Sequence, residues 1–168
     1  MKNIVLIGFM GSGKTSMGRF LSRELDYDFF DTDKEMESVT GLKLNQIVKK
    51  LGQIRYNSEE KLIVKKLAAM ERTVIATGGS FVDQEDNINA LRDGSIFVFL
   101  DVDNEVIIDR LKRRKQFPFT VKGSIAELVP EIYGKRRPIY EKYADITVNT
   151  TEMTMEDTAK EILERLKQ

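Results

Sequence analysis

Residues Gly8-Phe9-Met10-Gly11-Ser12-Gly13-Lys14-Thr15 spell G-x-x-x-x-G-K-[ST], and their flanks decide the fold. Before them runs Asn3-Ile4-Val5-Leu6-Ile7, a short apolar stretch that reads as a buried parallel strand. After them Met17, Phe20, Leu21 and Leu25 recur at helical spacing. Strand, glycine loop, helix is the context in which this pattern cradles phosphate. The glycines let successive N–H groups point at phosphate oxygens, and the helix N-terminus adds partial positive charge. Lys14 reaches toward the β- and γ-phosphates, and the Thr15 hydroxyl toward Mg²⁺. Gly11, Ser12, Gly13, Lys14, Thr15 and Ser16 form the expected nucleotide-binding set for ATP.

Beyond the loop, apolar runs alternate with helical patterns. Strands are expected at Asp28–Phe30, Thr73–Thr77, Ile96–Leu100 and Ile146–Val148. Helices are expected over Thr15 to Leu25, Lys34 to Lys50, Ser58 to Met70, Asn104 to Arg114, Ser124 to Tyr143 and Met155 to Lys167. This rhythm predicts an α/β domain, a parallel sheet with helices on both faces, spanning residues 1–168 without a linker. Ligands of such sheets bind outside the carboxyl ends of the strands. The glycine loop, Asp31-Thr32-Asp33 and Gly78-Gly79-Ser80 all follow strands, so they converge on one edge.

Composition narrows the chemistry. Lys plus Arg and Asp plus Glu number 27 each, against the strongly basic footprint of a nucleic-acid binder. No apolar run is long enough to span a membrane, and the N-terminus lacks the pattern of a signal peptide. The chain has no Cys and no His, which excludes disulfides, thiol nucleophiles and Cys/His zinc sites. A cytoplasmic, monomeric protein acting on a small molecule is expected. Acid–base work falls to Asp, Glu, Lys or Tyr.

Asp31 and Asp33 lie two apart and would share a side in extended backbone. One can steady Mg²⁺, and the other can accept the proton of an acceptor hydroxyl. Arg110, Lys112, Arg113, Arg114 and Lys115 run into the loop Gln116-Phe117-Pro118-Phe119, which predicts a lid over about residues 112–123. Late in another helix, Arg136 or Arg137 could grip a carboxylate or phosphate.

Taken together, Gly-Phe-Met-Gly-Ser-Gly-Lys-Thr, then Phe-Phe-Asp-Thr-Asp, then Ala-Thr-Gly-Gly, then Lys-Arg-Arg-Pro-Ile-Tyr resemble the shikimate kinase family over essentially the whole chain. The resemblance implies a three-layer α/β/α P-loop kinase fold with a five-stranded parallel sheet in the order 2-3-1-4-5. It also implies ATP- and Mg²⁺-dependent phosphorylation of the shikimate 3-hydroxyl. Under it, Lys14 and Thr15 serve phosphate and metal, Asp31 supports the metal, and Asp33 is the candidate base. Gly78 and Gly79 line the acceptor pocket, Arg110 stacks on adenine, and Arg136 holds the acceptor carboxylate. An acceptor-binding helical segment is expected over about residues 34–62.

The chain departs from the family pattern Gly-Glu-x-x-Phe-Arg-x-x-Glu. Tyr56 takes the Phe position, Glu60 the Glu, and Asn57 the position of the substrate-binding Arg. Phe117 stands where the lid Arg belongs, and Ser80 where a third glycine belongs. Asn cannot supply the charge and planar fork of Arg. A kinase for another small hydroxylated metabolite and a non-catalytic nucleotide-binding homologue are the alternatives these departures leave.

Overall fold

Strand β1 (Asn3–Ile7) lies at the centre of the sheet with every residue buried. The computed structural model describes residues 2–115, 119 and 121–168. Chain order continues with α1 (Lys14–Leu25), β2 (Asp28–Asp31), α2 (Thr32–Thr40), α3 (Leu44–Ala68), β3 (Thr73–Ala76) and a 3₁₀ turn at Phe81–Asp83. Then come α4 (Glu85–Arg92), β4 (Ser95–Asp101), α5 (Asn104–Arg113), α6 (Ile125–Tyr143), β5 (Ile146–Asn149) and α7 (Met155–Leu166). The five strands are ordered β2-β3-β1-β4-β5, and all four neighbouring pairs are parallel.

The period of two along β1 divides its side chains between two cores. Ile4 and Leu6 face Met17 and Leu21 of α1 and Ala159 and Ile162 of α7. Val5 and Ile7 face the larger cluster, which holds Ile63 and Leu67 of α3, Ile107 and Leu111 of α5, and Tyr133 and Tyr140 of α6. The inner strands are thus covered on both sides, which explains why β1 and β4 read as nearly unbroken apolar runs.

The helices differ from the sequence reading in three places. The expected helix over Lys34 to Lys50 is two helices, because Gly41 ends α2 at φ 69° in the left-handed region. The rest of that segment joins the expected Ser58 to Met70 helix as α3, which is broken in conformation only at Gly52, φ 82°. Helix α4 has no counterpart in the sequence reading; it offers only Ile88 and Leu91 as buried apolar contacts and has no side-chain cap.

Candidate active site

The loop after β1 closes tightly. Gly8 has φ 153°, and a Cβ there would fall 2.8 Å from the Leu100 carbonyl oxygen. Gly13 caps α1 at φ 90°, and no side chain caps the first turn. The α1 N-terminus therefore keeps its N–H groups for an anion. Lys14 is buried, and its Nζ donates to the Gly8 and Phe9 carbonyl oxygens at 2.7 and 2.9 Å. Burial lowers its pKa from 10.5 to about 8; Asp33 and Asp31 pull it back up and Arg136 pushes it further down. Asp33, Asp31 and Arg136 are thus the charged side chains that act on the Lys14 ammonium.

Asp31 and Asp33 do not share one side of a strand, as extended backbone would require. Asp31 ends β2, and Asp33 lies in the first turn of α2. The helix starts there because the Asp31 carboxylate accepts from the backbone N–H groups of Asp33 and Lys34, at 2.9 and 3.3 Å. Its other oxygen accepts from Thr15 Oγ1 at 2.6 Å. Helix geometry turns Asp33 away from Asp31 and toward the end of β3. There its Oδ1 lies 2.5 Å from where a Gly78 Cβ would be, so any side chain at 78 would expel the carboxylate. Burial, then Asp31, raise the Asp33 pKa from 3.8 to about 6. Gly78 is held by its N–H bond to Thr32 Oγ1, 3.0 Å, and Gly79 by Tyr140, whose hydroxyl donates to the Gly79 carbonyl at 2.6 Å.

Behind Asp33 lies a buried polar network. Glu60 accepts from Asn87 Nδ2 at 2.9 Å, and the Tyr56 hydroxyl and the Ser80 side chain belong to the same polar surroundings. Burial, then Asp33 and Asp83, raise the Glu60 pKa from 4.5 to about 7. Asn57, one residue after Tyr56, is half-exposed and accepts from Gln53 Nε2 at 2.8 Å. Arg55 pairs with Glu59 at 3.0 Å on the exposed side of α3, so it does not replace the arginine missing at 57.

The two arginines of α6 separate clearly. Arg137 is bound to both oxygens of Asp101, at 2.8 and 3.0 Å, and lies 4.2 Å from the centre of the Tyr133 ring. Arg136 points to the phosphate side, with its guanidinium 5.9 Å above Phe9 and Nη2 donating to Asp83 at 3.1 Å. Arg110 donates to the Gly11 carbonyl at 2.8 Å, across the outer rim of the loop. Of the expected lid, Gln116, Phe117, Pro118 and Thr120 lie outside the described residues, and so does the replacement of the lid arginine by Phe117. Phe119 stacks on Phe9, ring centres 6.4 Å apart, while Arg113 pairs with Asp109 at 3.0 Å on its own helix.

The structure thus brings Lys14, Thr15, Asp31, Asp33, Gly78, Gly79 and Arg136 to one edge of the sheet, with Arg110 at the rim. Asp83 and Asn87 were absent from the sequence reading, and Tyr140 and Glu60 entered it only as motif positions without a role; they meet the site through packing of distant elements.

A parallel 2-3-1-4-5 sheet with a Gly-Lys-Thr loop and a carboxylate seated beside its lysine defines a P-loop phosphotransferase of the small-molecule kinase class. The chain belongs to the shikimate kinase family, whose sequence profile matches residues 10–167. It is 42% identical over 168 residues to the shikimate kinase of Pelotomaculum thermopropionicum, covering 100% of this chain and 97% of that one. Shikimate kinase from Acinetobacter baumannii in complex with shikimate superposes with a TM-score of 0.91 at 31% identity, over 99% of this chain and 93% of that one. The Aquifex aeolicus shikimate kinase gives 0.84 at 36% identity, over 98% and 96%.

Proposed function

We propose that this protein transfers the γ-phosphoryl group of ATP to the 3-hydroxyl of shikimate, with Mg²⁺, as a monomer in the cytoplasm. The observation that carries this reading is the Asp33 carboxylate, wedged against Gly78 and coupled in charge to Lys14.

The residues present fit both ATP and Mg²⁺. The uncapped α1 N-terminus offers N–H donors, with the Ser12, Thr15 and Ser16 hydroxyls beside them. Thr15 and Asp31, 2.6 Å apart, offer one hydroxyl and one carboxylate. Among the described residues no group of three or more acidic side chains could hold a metal. That donor set suits an ion that keeps most of its waters and shares phosphate oxygens. Mg²⁺ neutralises charge on those oxygens when bound. Lys14 adds positive charge at the transferred group, and Arg110 holds the adenine side.

Asp33 orients the acceptor hydroxyl and takes its proton as the O–P bond forms. A weak base suffices, because in a loose phosphoryl transition state catalysis rests mainly on positioning and charge stabilisation. Gly78 and Gly79 give the acceptor room beside the backbone, Asn57 contributes a neutral contact from the segment 34–62, and Arg136 binds the carboxylate.

The test is product identification. Wild-type protein with ATP, Mg²⁺ and shikimate is expected to yield ADP and a monophosphate whose phosphorus couples to the proton on C3 in NMR. Phosphate on another hydroxyl, or ATP hydrolysis without a phosphorylated acceptor, would overturn the reading.

A further inference from the structure

Arg136 is paired on one side and unpaired on the other. Its Nη2 donates to the Asp83 carboxylate at 3.1 Å. Its Nη1 is buried without a hydrogen-bond partner. The side chain is only 17% exposed, whereas that of Asp83 is 41% exposed. Asp83 ends the 3₁₀ turn Phe81–Asp83, which follows directly from Gly78, Gly79 and Ser80. The turn is fixed by the Phe81 N–H bond to the Gly78 carbonyl, 3.1 Å, and the Asp83 N–H bond to the Ser80 carbonyl, 3.0 Å. Asp83 is therefore carried on the same segment that lines the acceptor side of Asp33, and its charge is felt as far as Glu60.

The charge balance there differs from what an anionic acceptor prefers. Position 57 holds a neutral side chain, Arg137 is held by Asp101 and Arg55 by Glu59. Arg136 is the guanidinium left to receive an acceptor carboxylate. A guanidinium has five donors, so it can serve two carboxylates at once, but the two then stand close together and repel.

We propose that Asp83 is a specificity-determining residue of the acceptor site: its carboxylate competes for Arg136 and raises the KM of carboxylate-bearing acceptors relative to neutral ones. The inference rests on the reading of this site as a shikimate kinase. Among the described residues the Asp83 side chain pairs with Arg136 and has no hydrogen bond or ion pair with Lys14 or Asp33, so its first effect falls on what Arg136 can receive.

The experiment compares wild type with Asp83→Asn, using shikimate and its neutral carboxamide as acceptors. Removing the charge is expected to lower the KM for shikimate about threefold to tenfold, within the range of partly exposed ion pairs and charge-assisted contacts. The KM values for ATP and for the carboxamide are expected to stay unchanged. An unchanged or higher KM for shikimate would overturn the proposal, since Asp83 would then merely hold Arg136 in place. An equal drop for both acceptors would overturn it too. Asp83→Ala provides a second variant should the first misfold, with the same expected direction. Calorimetric titration of shikimate into each protein separates this inference from the activity itself. Tighter shikimate binding by the variant, without turnover in either protein, supports Asp83 as the competitor while removing the kinase reading. Normal turnover with identical binding removes the competitor and keeps the kinase.

Discussion

Glu60 is 2% exposed and has no cation among the groups that shift it, so the folded protein disfavours its ionised form. Its pKa rises from 4.5 to about 7, with burial the largest cause and Asp33 the next. The sign follows from proton binding. Between those two values the folded state holds a proton that the unfolded chain releases, so stability falls as pH rises through this window. At 1.36 kcal/mol per pKa unit, the ionised carboxylate costs roughly 3 kcal/mol above pH 7 and almost nothing at pH 4. Glu60→Gln keeps an acceptor for Asn87 and a polar partner for Tyr56 while removing the charge. An imperfect fit of the amide costs about 1 kcal/mol at any pH. The variant should therefore be more stable than wild type by roughly 2 kcal/mol at pH 8, and less stable by about 1 kcal/mol at pH 4. Urea unfolding of both proteins at each pH reads this directly, and the difference between them removes most of the titration of groups they share. A stability difference that does not change with pH would refute the reasoning, because Glu60 would then be ionised at its ordinary pKa.

Other perturbations separate roles at the site. Asp31→Ala should cost about 1 kcal/mol of stability by uncapping α2, and should raise the Mg²⁺ requirement for turnover; Asp31→Asn, which can still cap, should raise that requirement with little change in urea midpoint. Arg110→Ala should weaken ATP binding about threefold to thirtyfold, the range of a guanidinium stacked on an aromatic face, with the KM for shikimate unchanged in steady-state assays. Asn57→Arg restores a carboxylate-binding fork and should lower the KM for shikimate about tenfold. An unchanged KM in that assay would mean position 57 does not reach the acceptor.

What could be read from the chain alone follows from how local each feature is. The strand before Gly8 and the helix after Thr15 are adjacent in sequence, and each carries its own periodicity, so the phosphate loop was legible in full. Strands β1, β3 and β4 were legible because burial on both faces leaves short apolar runs, and the more exposed edge strands β2 and β5 through their few apolar residues, Phe29-Phe30 and Ile146 and Val148. The strand order came from the family resemblance, since nothing in a run such as Ile146-Thr147-Val148 says which neighbour it pairs with. Helix α4 escaped notice because Ile88 and Leu91 alone make a weak stripe, and α2 and α3 were misdivided because the Gly41 stop lies inside a helical pattern. Sequence placed Asp31 and Asp33 together but not the cap that sends one to Thr15 and the other to Gly78. It left Arg136 and Arg137 equivalent; only the position of Asp101 on β4 commits Arg137 to structure. Asp83 was invisible for the same reason, because its partner lies 53 residues away.

The central claim is that Asp33 serves phosphoryl transfer to shikimate beside an intact nucleotide loop. The most direct measurement is shikimate-dependent ADP release, with ATP and Mg²⁺, for wild type and Asp33→Asn. The account predicts a clear rate for wild type, a loss of about 10²- to 10⁴-fold in the variant, and ATP affinity retained in both. Equal rates for the two proteins, or no shikimate-dependent rate in wild type, would contradict it.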